Sequence, residues 1–289
     1  MIGITGATGG LGGRVARRLA ERGVVQRLVV RDASRAPSLP GAEVAVAADY
    51  ADGEAMRRAL EGVDTLFLVS AGEHPDRVSL HRSAVEAAAA AGVERVVYTS
   101  FLAAAPDTTF TFGRDHFHTE ELIRAAGLGF TFLRDSMYLD YVPFFASADG
   151  VIRGPAGDGR VGAVARHDVA DTAVAALLDP QHEGREYEVT GREAYTLDEA
   201  ARILTEVSGR EVVYVEETLE EARTSRAPSG APDWEIEGWV TSYAAIADGS
   251  LDVVTDTVKR LTGHEPMTLP EFLAAHPESW AHLRGATPS

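Results

Sequence analysis

Three glycines near the start of the chain stand in the stretch TGATGGLGG, where Gly6, Gly9 and Gly12 have GxxGxxG spacing. An apolar run, Ile2–Thr5, precedes them and an amphipathic stretch follows, which predicts a strand, a tight turn and a helix. Glycine permits so tight a turn and lets the backbone approach a pyrophosphate, which binds at the positive end of the helix. The pattern predicts a dinucleotide-binding loop. The alternative is a turn in which the glycines are needed only for the backbone conformation and bind no ligand.

The stretch RLVVRD predicts a second strand that ends at Arg31. A carboxylate usually binds the 2′-hydroxyl of NAD near this position, about 20 residues beyond the third glycine. A guanidinium suits a 2′-phosphate instead, and Arg35 adds a second cation nearby. We therefore predict NADPH rather than NADH as the cofactor. Asp32 leaves two alternatives open, a surface ion pair with Arg31 or a contact with the ribose.

The elements that must position these residues are apolar runs that alternate with amphipathic stretches as far as Arg134. Near-continuous apolar strands separated by helices are typical of a parallel sheet covered on both faces. We predict an α/β fold, a Rossmann-type doubly wound parallel sheet with a smaller, mostly helical C-terminal substrate domain. The dinucleotide-binding domain is predicted over residues 1–134 and about 164–192, and the substrate domain over about 135–163 and 193–289.

Individual elements follow from the same patterns. Asp168 is expected to cap a helix over Val169–Leu178. Further helices are expected over Leu11–Arg22, Glu54–Leu60, Val78–Ala91 and Phe117–Ala126. Strands are expected over Ile2–Thr5, Arg27–Arg31, Glu43–Ala47, Thr65–Val69, Arg95–Thr99 and Phe130–Leu133, with a further strand over Glu186–Val189.

Composition argues against several classes of function. The 289 residues carry a formal net charge of −17, which disfavours binding to a nucleic-acid backbone. There is no cysteine, so thiolate catalysis and disulfides are excluded. His74, His81 and His118 lack metal-ligand spacing, so no metal site is predicted. No apolar run is long enough for a signal peptide or a membrane span, so we predict a cytoplasmic protein without a membrane partner.

Several longer stretches, taken in order along nearly the whole chain, resemble the NmrA-like, atypical short-chain dehydrogenase/reductase family. Within that family the resemblance is greatest to the bacterial NAD(P)H:quinone oxidoreductases of type 2. Their combined order is far more specific than any one motif. The stretches are TGATGGLG, VVRD, AADYAD, LVS, AAAAAGVERVVYTS, HFHTEELIRAAGLGFTFLRDSMY, RHDVADTAV, GREYEVTG and TVKRLTGHEPMTLPEF.

The resemblance implies a small C-terminal domain that closes over a substrate cleft, and it implies roles for single residues. Asp49 has an alternative role as the residue that caps the loop before Glu54. Asp135 stands where the relatives often have an amide, so their substrate pocket is not carried over. The implied cofactor contacts are Thr8, Gly9, Gly10 and Leu11 with the pyrophosphate, Arg31 and Arg35 with the 2′-phosphate, Asp49 and Tyr50 with the adenine, and Ser70 with the ribose.

Short-chain dehydrogenases generally carry a Tyr-x-x-x-Lys pair that delivers a proton, but FGRDH places Phe112 and His116 at this spacing. Reduction of a ketone gives an alkoxide whose conjugate acid has a pKa near that of water, about 15.7, and needs a positioned acid. Reduction of a quinone gives a phenolate with a pKa of about 10. The difference corresponds to about 8 kcal/mol of anion stability within the substrate. A quinone can therefore be reduced without the tyrosine.

Three residues are candidates for catalysis. His116 can hold the nicotinamide ribose, stabilise negative charge when protonated or donate a proton, unless it only makes a local hydrogen bond. Ser100 ends the fifth strand where such enzymes place a catalytic serine. Serine is also common at strand ends because its hydroxyl can hydrogen-bond the backbone of a following turn. Tyr138 follows the sixth strand, and its hydroxyl needs a partner. The side chains that can form a flat apolar cleft, unless they pack in the core, are Phe101, Tyr138, Tyr141, Phe144 and Phe145.

We predict an NADPH-dependent oxidoreductase that transfers hydride to a quinone or a similarly delocalised electrophile without a Tyr/Lys proton-donor pair. The alternative, from another class, is an NmrA-like regulatory protein that senses dinucleotide without turnover. A quinone-like small molecule is the predicted partner. The sequence leaves a monomer and a homodimer as alternatives.

Replacement of Arg31 with Ala tests the predicted cofactor preference. A hydrogen bond to a charged group contributes roughly 1.5 to 3 kcal/mol, so the Kd for NADPH should rise about 10- to 100-fold. The Kd for NADH should change little, because NADH has no 2′-phosphate. Binding titrations with both dinucleotides measure the two constants. Equal losses for both would show that Arg31 does not recognise the phosphate.

Overall fold

The computed structural model describes residues 1–47 and 49–284. It contains a seven-stranded sheet, and two smaller two-stranded sheets lie outside it. The strands are β1 (Ile2–Thr5), β2 (Gln26–Val30), β3 (Ala42–Val46), β4 (Thr65–Leu68), β5 (Arg95–Phe101), β6 (Gly129–Asp135), β7 (Val151–Gly154), β8 (Arg160–Val161), β9 (Arg185–Val189), β10 (Tyr195–Thr196) and β11 (Val213–Glu216).

The large sheet has the order β3-β2-β1-β4-β5-β6-β9, and its neighbouring strands are parallel. The chain moves from β1 to one side through β2 and then returns to the other side at β4. In such sheets, the crevice outside the carboxyl ends of the strands at this reversal is the usual ligand site. The loops that follow β1, β2 and β4 therefore meet where a dinucleotide would bind.

Helices cover both faces of the large sheet, as its apolar strands require. The helices α1, α6 and α10 share one buried cluster with the sheet, and α2, α3 and α4 share another. The helices are α1 (Gly12–Glu21), α2 (Gly53–Ala59), α3 (Arg77–Ala90), α4 (Thr111–Ala125), α5 (Val142–Phe145), α6 (Arg166–Leu178), α7 (Leu197–Ser208), α8 (Leu219–Arg226), α9 (Asp233–Ala247), α10 (Thr257–Thr262) and α11 (Leu269–Ala275).

A separate buried cluster lies outside the large sheet and is built mainly from residues 139–165 and 195–283. Its helices begin at defined residues because α7, α8 and α11 each start with a capping box, in which a threonine and a glutamate three residues later satisfy each other's backbone amides. The boxes pair Thr196 with Glu199, Thr218 with Glu221 and Thr268 with Glu271. The domain boundaries named from the sequence stay a prediction.

The structure confirms the predicted Rossmann-type parallel sheet, and the strand expected over Glu186–Val189 is its last strand. Two helix starts differ from expectation by more than one residue. The α4 helix begins at Thr111 rather than at Phe117, so Phe112 and His116 both lie on it. The prediction that Asp168 caps a helix was wrong, because α6 already begins at Arg166. The Oδ2 atom of Asp168 instead accepts a hydrogen bond from the Met267 amide at 2.9 Å.

Phe112 joins α4 to the C-terminal helices. Its ring is 8% exposed and contacts the rings of Phe110 and Trp234, with centroid distances of 5.6 and 6.0 Å. The far edge of the ring lies so close to α9 that a Cβ atom at Gly238 would overlap it. The residue at the position of the family tyrosine is therefore a packing contact between helices.

Replacement of Gly238 with Ala tests this contact. Alanine favours a helix by about 1 kcal/mol over glycine, but overpacking typically costs about 1 to 3 kcal/mol, so we expect net destabilisation. Urea unfolding measures it. Gly72→Ala is the control, because a Cβ atom there meets no other atom within 4 Å. Adding Phe112→Leu should recover part of the loss, and simple additivity of the two changes would contradict the contact.

Candidate active site

The glycine loop, residues 6–11, joins β1 to α1. Gly6 has a φ of +62°, and its carbonyl accepts a hydrogen bond from the Gly9 amide at 2.8 Å. A Cβ atom at Gly12 would overlap that carbonyl, so only glycine lets the helix begin this close to the strand. In the described part of the chain, no side chain caps α1. The Gly13 amide donates to the Gly9 carbonyl at 3.1 Å, and the positive end of the helix dipole faces the loop without a side-chain acceptor.

Arg166 adds a full positive charge to this loop. Its Nη1 atom lies 2.6 Å from where a Cβ atom of Gly10 would stand, so the guanidinium rests on the loop backbone. Asp140 positions it, with 2.9 Å between Arg166 Nε and Asp140 Oδ1. Sequence reasoning recognised RHDVADTAV only as a family stretch and did not single out Arg166. A local pattern carries no signal for this contact, because α6 is far from the loop in sequence.

A groove of about 510 Å³ runs along the carboxyl ends of β1, β2 and β4. Of the predicted cofactor residues, Gly10 and Leu11 line the cavity next to it instead, and Gly12 packs beneath the loop. Arg35 ends a short 3₁₀ turn and does not belong to the groove lining. The predicted residues that do line the groove are Gly6, Thr8, Gly9, Arg31, Asp49, Tyr50 and Ser70.

Tyr50 and Asp49 shape the far end of the groove. The Tyr50 hydroxyl, which can rotate between two acceptors, lies 2.7 Å from Thr5 Oγ1 and 2.6 Å from the Val69 carbonyl, and so ties the end of β1 to that of β4. Burial raises the pKa of Tyr50. The Asp49 carboxylate accepts a hydrogen bond from the Ala51 amide at 2.7 Å, whereas Asp52 caps the helix that contains Glu54.

Asp32 contacts Ser34 rather than Arg31, and its contact with the ribose stays a prediction. Its Oδ1 atom accepts hydrogen bonds from the Ser34 amide at 2.9 Å and the Ser34 hydroxyl at 2.7 Å. The carboxylate therefore holds the turn after β2. Arg31 stays exposed at the groove wall, where it can meet a phosphate.

These features fit a phosphorylated dinucleotide. The glycine loop offers uncapped amides, Arg166 lies on its backbone, and Arg31 lies at the adenine end expected for a 2′-phosphate. The groove also continues beyond the loop. Residues 69–73 line both the groove and a larger cavity of about 830 Å³, so the two spaces are adjacent along this segment.

Aromatic side chains form much of the wall of the larger cavity. All five residues predicted for an apolar cleft line it, and Tyr141 and Phe144 are exposed at its mouth. Flat rings in such an arrangement can stack on a planar ligand. The aromatic lining residues are Phe101, Phe110, Phe112, Tyr138, Tyr141, Phe144, Phe145 and Trp239.

His116 lies in the cavity floor, 6% exposed. Its Nε2 atom accepts a hydrogen bond from Arg77 Nη2 at 3.2 Å, so its proton resides on Nδ1, 3.0 Å from the Tyr98 hydroxyl. Burial, followed by the charge of Arg77, holds the pKa of His116 well below its ordinary value. The neutral form of His116 is therefore favoured, which argues against its predicted role as a protonated group.

Tyr138 also lines the cavity, and its hydroxyl partner is Asp135. The hydroxyl donates to Asp135 Oδ2 at 2.6 Å. Burial raises the pKa of Asp135 to about 8, although the hydrogen bond from Tyr138 opposes the shift. At neutral pH the carboxyl group therefore keeps its proton, and the cavity wall contains no carboxylate charge at this point.

Ser100 does not line the cavity. Its hydroxyl is fully buried and donates to Glu120 Oε1 at 2.6 Å, and Glu120 also binds Arg134 through two hydrogen bonds of 2.8 and 2.6 Å. Successive residues of a strand face opposite sides, and Thr99 is the neighbour that lines the cavity. Of the three predicted catalytic residues, only His116 and Tyr138 line the cavity.

Among the described residues, there is no group of three or more His, Cys, Asp or Glu side chains arranged to hold a metal ion. His81 is engaged in the fold: its Nε2 atom accepts from the Ala71 amide at 2.8 Å, and its Nδ1 atom lies 2.7 Å from Thr119 Oγ1. Across residues 1–47 and 49–284, the structure has no helix with the length and apolar character that a membrane span requires.

Comparison with known proteins gives consistent matches. Residues 6–180 match a family model described as NAD(P)H-binding. Quinone oxidoreductase 2 of Escherichia coli is 36% identical over 95% of this chain and 98% of its own length. The NAD(P)H azoreductase of Xenophilus azovorans is 34% identical over 96% and 98% of the two chains. A crystal structure of the NADPH-dependent quinone oxidoreductase from E. coli, complexed with NADPH, has a TM-score of 0.87 at 33% identity and covers 95% and 99% of the two chains.

The protonated Asp135 predicts an unusual pH dependence of stability. Between about pH 4 and pH 8 the unfolded chain has lost this proton while the folded protein keeps it. The free energy of unfolding should therefore fall as pH rises through that window, and this contribution should level off above it. The variant Asp135→Asn removes the free-energy cost of keeping this carboxyl group protonated in the folded protein, which is on the order of 4 kcal/mol at pH 7. Urea unfolding of both proteins across this range measures the difference. Parallel pH profiles would refute the assignment, and exposed Asp107→Asn is the control.

Proposed function

The chain belongs to the NAD(P)H-binding, NmrA-like family of reductases, and we propose that it is an NADPH-dependent oxidoreductase that reduces quinones. Bound NADPH supplies the hydride for this reaction. The substrate is a small molecule. The observation that carries the proposal is that a groove lined by the glycine loop lies next to an aromatic-walled cavity, with residues 69–73 lining both.

The cofactor preference rests on three parts of the chain. The α1 amides and Arg166 provide positive potential at the glycine loop, and Arg31 provides it at the far end of the groove. Tyr50 braces the strand ends between them. The positive potential at the loop favours the pyrophosphate that NADPH and NADH share, and Arg31 favours the 2′-phosphate that only NADPH carries.

The acceptor class rests on the two residues at the Tyr-x-x-x-Lys spacing, neither of which is a charged or phenolic proton donor. Phe112 is committed to packing against α9, and His116 is neutral and already accepts from Arg77. A simple ketone would require a positioned acid at this place. A quinone needs none, because its reduced form is a delocalised phenolate that solvent can protonate. The aromatic walls also suit its flat ring.

Tyr138 is the residue that we propose to orient the acceptor. Its ring lines the cavity with Tyr141, and the two centroids are 6.0 Å apart. Its hydroxyl is fixed by Asp135, so the ring has a defined position.

A cytoplasmic location is also proposed, since a chain without cysteine is compatible with reducing conditions.

Anaerobic oxidation of NADPH with a panel of quinones tests the proposal. We expect turnover with NADPH at lower cofactor concentrations than with NADH, and Arg31→Ala should reduce that difference. Absorbance at the nicotinamide band follows the reaction directly. Tight NADPH binding without turnover for any quinone would contradict the proposal and favour the dinucleotide sensor.

A further inference from the structure

Two arginines, Arg77 and Arg95, are buried in the described part of the chain, each 6% exposed. The guanidinium groups of the two arginines make different contacts. Arg95 directs its guanidinium at main-chain carbonyls at the end of α6, with Nη2 2.6 Å from the Ala176 carbonyl. Arg77, the first residue of α3, lines the substrate cavity. Burying a guanidinium is costly unless it is paired, so the position of Arg77 calls for an explanation.

The contacts of Arg77 hold it in place and leave part of it open to the cavity. Its Nε atom donates to the Ala71 carbonyl at 3.0 Å, and Nη2 donates to His116 at 3.2 Å. The nearest carboxylate oxygen, Asp115 Oδ2, is 3.9 Å from Nη1, beyond hydrogen-bond distance. Ala71 lies in the segment shared by groove and cavity. The guanidinium is thus fixed beside the junction of the two spaces.

The charge of Arg77 is also poorly compensated. His116 is neutral, and the Asp135 carboxyl group keeps its proton at neutral pH. Burial likewise raises the pKa of Asp115. Arg166, the other arginine at the cavity, differs because Asp140 lies 2.9 Å from its Nε atom. Because Asp115 is 3.9 Å away and forms no hydrogen bond with it, the guanidinium of Arg77 can still bind an anion in the cavity.

We propose that Arg77 is a catalytic residue that stabilises the negative charge which forms on the acceptor oxygen during hydride transfer. The inference rests on the proposed function and narrows its substrates to conjugated carbonyl compounds, quinones above all, whose first reduced product is an oxyanion. Hydride would add to a ring carbon conjugated with a carbonyl group, so that a C–H bond forms there and a C–H bond of the reduced nicotinamide breaks. The C=C and C=O π bonds of the acceptor are replaced by one new C=C bond, and the electron pair of the hydride ends as negative charge on the carbonyl oxygen. The cofactor is oxidised, and solvent then protonates the anion. His116 acts as a positioning residue that orients Arg77.

Chemical rescue of Arg77→Ala tests this role. The wild type is first assayed with a quinone and NADPH. In the variant, kcat should fall about 10²- to 10³-fold, as for the loss of an oxyanion donor, while the Kd for NADPH changes little. Added guanidinium at millimolar concentration should restore much of kcat. Urea, a neutral molecule of the same shape, should restore none. A merely structural role would make no distinction between the two additives.

Arg95→Ala is the matched control, because it removes the other buried arginine without touching the cavity. It should lower stability and should not respond to guanidinium in kcat. If Arg77→Ala does not fold, Arg77→Lys and Arg77→Gln decide the question, with the lysine variant retaining most of kcat and the glutamine variant losing it.

The outcomes separate the two claims. Absence of quinone turnover in the wild type contradicts the proposed function itself. Wild-type turnover combined with an unchanged kcat in Arg77→Ala, or equal rescue by guanidinium and urea, overturns only the role of Arg77. Equal kcat values for the lysine and glutamine variants would overturn it as well.

Discussion

The closeness of Gly12 to the carbonyl of Gly6 is the contact on which the rest of the site depends. Because a side chain there would push α1 away, glycine alone lets the helix begin at the end of β1 and direct its amides into the crevice at the strand reversal. The interaction of a helix terminus with an anion contributes only about 0.3 to 1 kcal/mol when exposed. Arg31 and Arg166 therefore supply full charges where the partial charge of the helix is weak.

Burial shifts the pKa values of the acid and the base in the cavity in opposite directions, and the physical cause is the same for both. Removal from water disfavours any charged form, so it makes Asp135 keep its proton and makes His116 lose one. A guanidinium cannot respond in this way, because it stays protonated in proteins. The result is a cavity floor in which Asp135 and His116 are neutral while the guanidinium of Arg77 keeps its charge.

The parallel sheet and the glycine loop were predictable because their signals are local: apolar runs mark buried strands, and glycine spacing marks a tight turn. The same holds for Arg31 at the end of β2. Arg77 and Arg166 gave no such signal, since each acquires its role from residues distant in the chain, His116 and Gly10. Ser100 was misjudged as a cavity residue for a related reason. The end of a strand is readable from sequence, but the face to which its last residues point is not.

The question raised by Phe112 has a structural answer. At the position of the family tyrosine, the ring fills a space against Gly238 that leaves no room for a side chain on α9. Phe112 therefore packs between α4 and the C-terminal helices and offers no hydroxyl at this position. A buried cation beneath aromatic walls favours an acceptor that delocalises its own negative charge.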